Sequence, residues 1–289
     1  MCELTQGDRV RHPGVPEWGL GEVLDVPTGG EVRVFFVEAG EKTLALRHVT
    51  LEVVPREEAQ HAVLDNLARG KKGGFSRYRS FAQSWDGFLQ KFPEGFYDEQ
   101  YLAEERDYKI EAHELAQAEL GQAELNALID ANDHEEICRR ALRVVNKTNL
   151  VFPQEKMALR EGVKSPEGQS AFAKALHGML HGAGDLQARF EVLSSALSGI
   201  GAAKWPTVTY LPFIFDPVQH MFVKPMVTQR AAETSGFDIA YQPELNWHTY
   251  HRVLEFSRHL FDELEDQKPR DMIDVQSFIW CMDPGKARS

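Results

Sequence analysis

Cysteine is scarce in this sequence, and long apolar runs are missing. Its 289 residues include 3 cysteines, scattered at positions 2, 138 and 281. Because there is neither a CxxC pair nor an even set, a disulfide framework is excluded and a reducing cytoplasm is expected. No window reaches the ~20 apolar residues that a membrane span needs, and no basic or apolar leader follows Met1. We therefore expect no membrane partner and no signal peptide.

Catalytic signatures are missing as well. The sequence contains no G-x-S-x-G, no Walker A phosphate loop, no HExxH and no Cys/His pair at suggestive spacing. His177 and His181 lie four positions apart without a third ligand, and the acidic groups at 104–107 and 133–136 fit helix capping better than a metal site. We predict no metal and no cofactor, and we favour a non-catalytic protein. A nuclease whose carboxylates meet only in the fold stays open.

Basic residues are in the minority. Lys and Arg number 32 against 44 Asp and Glu, which gives a formal net charge of −12. A protein that coats nucleic acid gains its affinity by neutralising phosphates, so this balance argues against that class. A local basic face stays open, because residues 57–80 carry 5 Lys and Arg against 3 Asp and Glu.

Residues 4–54 predict a small all-β unit. Five short runs with strand character follow one another, separated by turns at positions such as 28–30 and 39–41. The run at 31–38 alternates apolar residues at 32, 34 and 36 with a mixed set between them, which predicts a strand buried on one face. Five strands within about fifty residues suit a partly open SH3-like barrel.

The motifs GDRVRHP, WGLGEV, VRVFFVEAGEKTL and LEVV carry a resemblance in this unit. They look like the Tudor/SH3-like module at the C-terminus of UvrD/PcrA-type helicases, and like a bacterial domain family of unknown function with the same pattern. The resemblance implies a docking module for protein or nucleic acid. Its implied partner contacts are Arg9, Arg11, Trp18 and Phe35. Trp18 either lines that surface or packs under the mouth of the barrel.

Residues 56–80 predict a linker between domains. Its stretch 69–79, RGKKGGFSRYR, is basic, aromatic and rich in glycine. Such a chain can follow a phosphate backbone while its rings stack on bases. The alternative is a solvated linker. The residues predicted to contact nucleic acid here are Lys71, Lys72, Phe75, Arg77, Tyr78 and Arg79.

Residues 81–289 predict a mainly helical domain, because apolar residues recur there at helical spacing. The chain is thus α+β, with limits at 1–55, 56–80 and 81–289. In the densest apolar run, 204–232, two strand-like runs flank Asp216-Pro217, so we expect a short aromatic hairpin near 205–225. Residues 198–204 fit either a glycine C-cap or a helix-hairpin-helix turn that holds a phosphate.

The motifs WPTVTYLPFIFDPVQHMFVKP and RDMIDVQSFIW carry a second resemblance. Together they are similar to a segment upstream of the motor in McrB-type restriction ATPases, whose N-terminal regions tend to recognise DNA. Without a Walker A sequence, the resemblance implies the recognition part alone. The residues expected to face a ligand are Lys204, Lys224, Arg230, Arg252 and Arg270. Surface or capping roles are the alternative for each of them.

Two classes of function follow from these observations. The first is a non-catalytic protein that binds DNA or RNA, in DNA repair, transcription or defence against foreign DNA. The second is a protein-interaction adaptor that docks a partner such as RNA polymerase or a nuclease through the N-terminal barrel. The acidic balance of the chain suits the second class better.

Overall fold

The computed structural model describes residues 4–25, 29–68 and 78–282. By packing, the described chain divides into two compact units. The first takes its residues from 4–91 and 229–239 together with 282, and the second takes 92–228 and 240–281. The predicted limits are 55 and 80, whereas this division groups residues up to 91 with the sheet, against which Leu64, Leu67 and Tyr78 pack.

The first unit is built on an antiparallel sheet, as the sequence predicts. Within the described residues its five strands are β1 Arg9–Arg11, β2 Leu20–Val23, β3 Glu31–Phe36, β4 Gly40–Ala45 and β5 Glu52–Val54. Their order is β4-β3-β2-β1-β5, so four strands form a meander and β5 returns to pair with β1. Gly40, where β3 turns into β4, has a φ of +70°, a backbone region that glycine tolerates best.

Strand β3 buries both of its faces. Phe36 lies in one apolar core with Val10, and Phe35 lies in a second core with Leu24 and Leu64. Phe35 and Phe36 are both 0% exposed. The expectation of a strand buried on one face is therefore wrong, and the reason is that the protein covers the second face itself.

Two pieces of chain far apart in sequence supply much of that cover. The short helix α1, Ala62–Asp65, places Leu64 in the second core. Just beyond it, Leu67 forms an isolated antiparallel bridge with Phe237. The N–H of Asp238 donates to the carbonyl of Asn66 at 2.8 Å, and the N–H of Ala68 donates to that of Gly236 at 2.9 Å. Residues 236–238 therefore pair through their backbone with residues 66–68, the segment that follows the sheet.

Tyr78 completes the second core. Its ring meets Phe35 edge-on with centroids 4.6 Å apart, and its hydroxyl donates to the carbonyl oxygen of Val37. Gly236, with a φ of +70°, approaches so closely that an added Cβ would lie 3.1 Å from the Phe35 ring. A side chain at 236 would therefore push the chain away from the sheet.

The rest of the chain is mainly helical, which confirms the prediction. Within the described residues the helices after α1 are α2 Phe81–Lys91, α3 Glu99–Tyr101, α4 Asp107–Leu120, α5 Gln122–Asp130, α6 His134–Asn146, α7 Pro153–Gly162, α8 Pro166–His181, α9 Leu186–Gly199, α10 Trp205–Phe215, α11 Pro225–Thr234, α12 Trp247–Glu263 and α13 Met272–Met282. A π-helical turn, Leu102–Arg106, joins α3 to α4. Within the described ranges, we find no helix with the length and apolar character that crossing a membrane requires.

The predicted aromatic hairpin near 205–225 is wrong, because its first half is helix α10. Of the 11 residues of α10, 10 are buried. A helix that is buried all round shows no apolar stripe, so its β-branched and aromatic residues imitate a strand. The true start signals are Pro206 in the first turn and Thr207, whose Oγ1 accepts the N–H of Lys204 at 3.1 Å.

The second half of the expected hairpin is extended chain without a strand partner among the described residues. The N–H of Val223 donates to Thr209 Oγ1, within α10, at 3.0 Å. A side chain of the helix therefore takes the role that a neighbouring strand would have in a hairpin.

The turn at 198–204 is the glycine C-cap of α9. Gly201 has a φ of +71°. The N–H of Ala202 donates to the carbonyl of Leu197 at 2.8 Å, and that of Gly201 to Ser198 at 3.1 Å. These two bonds form the Schellman ending of a helix, so the helix-hairpin-helix alternative does not describe this turn.

Candidate functional site

Two of the lysines expected to face a ligand lie in one cluster of the second unit. Lys204 is the N-cap of α10, and Lys224 immediately precedes α11. Both act electrostatically on Glu155 in the first turn of α7. The rings of Phe152 and Trp280 approach Lys224. We name these five residues the lysine–aromatic cluster.

Lys224 lies between two aromatic rings. Its Nζ is 4.3 Å from the ring centroid of Phe152 and 5.0 Å from that of Trp280. An ammonium within about 6 Å of a ring centroid gains cation–π stabilisation. Phe152 is nevertheless 50% exposed, so a positive charge and an apolar ring reach the solvent side by side.

Glu155 is the carboxylate of the cluster. Its Oε2 accepts the backbone N–H of Phe152 at 2.9 Å, which closes the first turn of α7. Burial raises the pKa of Glu155, while the Phe152 N–H and the charges of Lys224 and Lys204 act in the opposite direction. Within the cluster, two positive charges thus face one negative charge.

Three helix starts build the cluster. Phe152 is the N-cap of α7, Lys204 is the N-cap of α10, and Lys224 precedes α11; in each case a proline follows within two positions. Proline suits the first turn of a helix because its missing N–H would have no helical partner there. Helix starts carry partial positive charge, which adds to that of the lysines.

The cluster suits an anion that is attached to a flat ring. A lysine ammonium binds phosphate as a point charge. An exposed aromatic ring stacks on a nucleobase of any identity. Lys204, Lys224 and Phe152 therefore have the chemistry that such a ligand requires, and none of the five residues of the cluster is a serine, threonine or cysteine that could act as a nucleophile.

A second polar cluster of the same unit is buried. Asp274 in α13 is 0% exposed, and it accepts bonds from Tyr101 Oη at 2.6 Å and Arg106 Nη1 at 2.9 Å. Arg270 Nε binds the same carboxylate at 3.0 Å. Arg106 also forms a two-fold pair with Asp271, at 2.9 and 2.7 Å. We call these five residues the Asp274 network.

The charges of the Asp274 network compensate one another. Burial opposes the charge of Arg106, but the bonds to Asp271 and the charge of Asp274 outweigh it and raise the pKa of Arg106. Burial, with the charge of Asp274, raises the pKa of Tyr101, so the phenol stays protonated and donates. Two arginines and two aspartates leave the network without net charge.

Lys109 is also 0% exposed in the second unit. Its Nζ donates to Ser277 Oγ at 2.8 Å and lies 3.6 Å from Glu105 Oε2. Burial lowers the pKa of Lys109 to about 8, against the charge of Glu105. A serine beside such a lysine has the composition of a nucleophile and its base. Ser277 is 0% exposed as well, so its hydroxyl is closed to a substrate and the contact is structural.

Most of the basic stretch 69–79 falls outside the described residues. Lys71, Lys72, Phe75 and Arg77 are among them, and their predicted contact with nucleic acid stays a prediction. Tyr78 is half-buried, and its ring packs in the second core of the sheet, which argues against base stacking by this residue. Arg79 is exposed.

The three predicted arginines have other surroundings. Arg270 belongs to the Asp274 network and also donates to the carbonyl of Phe96 at 2.7 Å. Arg252 pairs with Glu255 at 2.7 Å, its side chain 14% exposed. Arg230 is half-buried in the part of α11 that belongs to the first unit. Of the predicted positions, Lys204 and Lys224 are the two that the fold joins through a shared carboxylate.

Two of the four residues expected to contact a partner are buried. Arg9 is 2% exposed and Phe35 is 0% exposed. Arg9 pairs with Glu22 at 3.2 Å and with Asp65 at 2.8 Å. The structure corrects these two expectations, because the protein itself covers both side chains.

Arg11 and Trp18 keep contact with solvent, Arg11 being exposed and Trp18 half-buried. The Trp18 ring packs on Phe36 with centroids 5.2 Å apart and on His12 at 5.1 Å. Lys42 Nζ lies 5.5 Å from the centroid of the same ring. Trp18 therefore packs against the sheet and is also partly exposed. Each of the two predicted roles, packing and lining a surface, is compatible with part of its side chain.

Two histidines of the second unit, His177 and His181, bond to the protein. Rings of His177 and His181 lie at 2.6 Å from Asn126 Oδ1 and 2.8 Å from the carbonyl of Leu120. Asp133 caps α6, as expected. Within the described residues, no group of three or more His, Cys, Asp or Glu side chains is placed to hold a metal ion.

The sequence reasoning missed Phe152, Glu155 and Trp280. A signal for part of the cluster exists, since Phe152, Lys204 and Lys224 each stand one or two positions before a proline. That pattern marks helix starts. It carries no information on which starts meet in space, and nothing local connects them with position 280.

Comparison with known families matches residues 4–54 to the family described as "Protein of unknown function (DUF3553)". The match covers the five-stranded sheet and no part of the second unit. It fits the resemblance to a bacterial domain family of unknown function, and it shows no link to the UvrD-type or McrB-type proteins. No curated protein and no solved structure matches the chain.

Proposed function

We propose that this protein binds nucleic acid through the lysine–aromatic cluster, without catalysing a reaction on it. The observation that carries the proposal is the ammonium of Lys224, 4.3 Å from the centroid of a ring that is 50% exposed. Lys204 adds a second charge near the same carboxylate. A role in DNA repair, transcription or defence against foreign DNA, in the cytoplasm, belongs to the same proposal.

The net charge of −12 is compatible with such a local contact. At physiological salt, charges separated by more than about 8 Å across solvent are largely screened. Distant carboxylates therefore weaken a phosphate contact at Lys204 and Lys224 only slightly. Since two lysines neutralise few phosphates, we expect modest affinity with a shallow but measurable salt dependence.

The test is the double variant Lys204→Gln with Lys224→Gln. Binding of a fluorescent single-stranded oligomer of ~20 nucleotides is measured at increasing salt. Loss of two phosphate contacts should reduce the slope of log affinity against log salt by about 1.4. The matched control is Lys164→Gln with Lys174→Gln, which removes two lysines that are exposed in the structure. If both double variants bind as the unchanged protein does, the cluster is not the interface.

The basic stretch 69–79 is tested in the same assay. A variant with Lys71, Lys72, Arg77 and Arg79 changed to alanine removes four of its charges. Loss of binding in this variant alone would move the interface from the lysine–aromatic cluster to that stretch.

A protein-interaction adaptor is the second candidate function. The observation that favours it is Trp18, a half-buried tryptophan with Lys42 Nζ 5.5 Å from its ring centroid and the exposed Arg11 in β1. Tryptophan and arginine are enriched among residues that carry the binding energy of protein interfaces. Co-purification of RNA polymerase or a nuclease in the absence of nucleic acid, reduced by Arg11→Ala, would favour this candidate.

A further inference from the structure

We infer that the lysine–aromatic cluster accepts single-stranded nucleic acid, with an unpaired base stacked on Phe152 and phosphates at Lys204 and Lys224. This rests on the proposed function and deepens it by naming the form of nucleic acid. Three features carry it: the backbone that holds Phe152, the position of the Lys224 ammonium, and the exposed Met226 two residues after that lysine.

The backbone that carries the Phe152 ring is held in place before any ligand binds. Phe152 is the N-cap of α7, in extended conformation with φ −68° and ψ 153°. The next residue is Pro153, and the N–H of Phe152 is bonded to Glu155 Oε2 at 2.9 Å. Because this backbone is already ordered, stacking of a ligand on the ring costs little backbone freedom, which favours binding.

The Lys224 ammonium covers one face of the Phe152 ring. It lies over the ring, 4.3 Å from the centroid, so that face is already in contact with the protein. Half of the side chain remains exposed. A flat ligand is therefore received on the opposite face, and an anionic group attached to it stays close to the lysine charges.

Apolar surface continues beside the lysine in sequence. Met226, in the first turn of α11 two residues after Lys224, is 63% exposed. An exposed methionine two residues from Lys224, together with the half-exposed phenylalanine, favours a partner with flat apolar surface over one that offers charge alone. Nucleobases provide such a surface, and an acidic peptide does not.

Base pairing decides which form of nucleic acid can use this surface. Inside a duplex, each base is covered on both faces by its neighbours, so a protein ring reaches only unpaired bases or strand ends. Every base offers a π-face, so stacking tolerates most sequences. We expect the cluster to distinguish single strands from duplexes and to show little preference for sequence.

The experiment compares three probes on the full chain at one salt concentration. The first is a thymidine oligomer, the second an oligomer with the same number of phosphates but no bases, and the third a duplex closed at both ends by linkers that carry no bases. The protein should bind the thymidine oligomer about 5- to 150-fold more tightly than the base-free oligomer, which is the contribution of one stacked base. The duplex should bind like the base-free oligomer.

Phe152→Leu isolates the ring, because leucine keeps apolar volume at an exposed position and removes the π-face. This variant should bind the thymidine and base-free oligomers equally, and Phe152→Trp should restore the preference. The matched control is Tyr97→Leu, which removes another aromatic residue of the second unit that is 51% exposed. Tyr97→Leu should keep the preference.

The possible failures are distinct. Equal binding of all three probes, reduced by the lysine double variant, would overturn the single-strand inference and leave the proposed function standing. Binding of none of the probes would overturn both. A poly-glutamate peptide that binds more tightly than the thymidine oligomer would assign the cluster to an acidic protein partner.

Discussion

The Asp274 network and the lysine–aromatic cluster use similar side chains in the same unit, and they differ in charge balance and exposure. In the network, Asp274 is 0% exposed and two arginines face two aspartates. In the cluster, two lysines face Glu155 beside a ring that is 50% exposed. Charges that compensate one another in the interior hold helices together, whereas an excess of one sign at the surface can attract a ligand.

The difference has an energetic origin. A charge removed from water costs several kcal/mol unless opposite charges and hydrogen bonds compensate it. The network meets that condition with bonds of 2.6 to 3.0 Å from Tyr101, Arg106 and Arg270 to a single carboxylate. Half-exposed groups keep much of their hydration, so the cluster tolerates imbalance. Substitutions should therefore affect stability in the network and binding in the cluster.

The largest effect is expected from Asp274→Ala. This change leaves Arg106 and Tyr101 buried without their shared acceptor. Removal of one partner from a buried ion pair costs about 3–5 kcal/mol of unfolding free energy. Urea denaturation followed by circular dichroism measures the loss. The control is Asp130→Ala, at the exposed end of α5, and a midpoint for Asp274→Ala equal to that of the control would contradict the assigned role.

The second-largest effect is a pH dependence of the unfolding free energy that Lys109 should cause and exposed lysines should not. Burial lowers the pKa of Lys109 from 10.5 to about 8. Between these values the unfolded chain binds a proton that the folded chain does not, so folding gains stability as the pH rises. The unfolding free energy of the protein, minus that of Lys109→Met, should rise by at most about 1.4 kcal/mol per pH unit.

The measurement is a series of urea titrations of both proteins from about pH 7 to about pH 10. Lys164→Met serves as the control, because Lys164 is exposed and pairs with Glu161 at the surface. A difference between the protein and Lys109→Met that stays flat or falls over this range would show that Lys109 does not lose its proton in the folded state.

The smallest effect is expected from Glu155→Gln, and it concerns binding. Glutamine can still accept the N–H of Phe152, but it removes the negative charge with which Lys204 and Lys224 interact. A half-exposed charge pair contributes up to about 1 kcal/mol, so the thymidine oligomer should bind up to about 5-fold more tightly. Anisotropy titrations with Glu161→Gln, on the same helix, provide the control.

The unchanged protein and Glu155→Gln should also differ in how their affinity for the thymidine oligomer depends on pH. Burial raises the pKa of Glu155 above its usual 4.5. As the pH falls through that raised pKa, Glu155 becomes neutral and the affinity of the unchanged protein should approach that of Glu155→Gln. An affinity gap that widens toward acid pH would contradict the interaction of Glu155 with the two lysines.

Much of the first unit could be predicted from local pattern. Its strands are short, they alternate, and glycine turns such as the one at Gly40 separate them. Phe35 was misjudged because its cover comes from residues 62–67, 78 and 236–237, and local alternation cannot report a contact so distant in sequence. The helices with an apolar stripe, such as α12, were equally readable, since one face alone is buried.

The second unit shows where sequence pattern stops being informative. Helix α10 resembled a strand because 10 of its 11 residues are buried, which removes the period that marks a helix. In the lysine–aromatic cluster, the sequence nominated Lys204 and Lys224 as separate surface positions. Their meeting around Glu155, and the approach of Phe152 and Trp280, depend on how four helices pack.

The bridge between Leu67 and Phe237 ties the sheet to a stretch of chain that the ribosome makes much later. The last strand ends at Val54, and roughly 180 further residues must be added before Phe237 exists, which takes on the order of 10 to 40 s at typical rates of synthesis. During that interval the face that carries Phe35 lacks part of its native cover. A chaperone that binds apolar segments of nascent chains would therefore find this face incompletely covered throughout that interval.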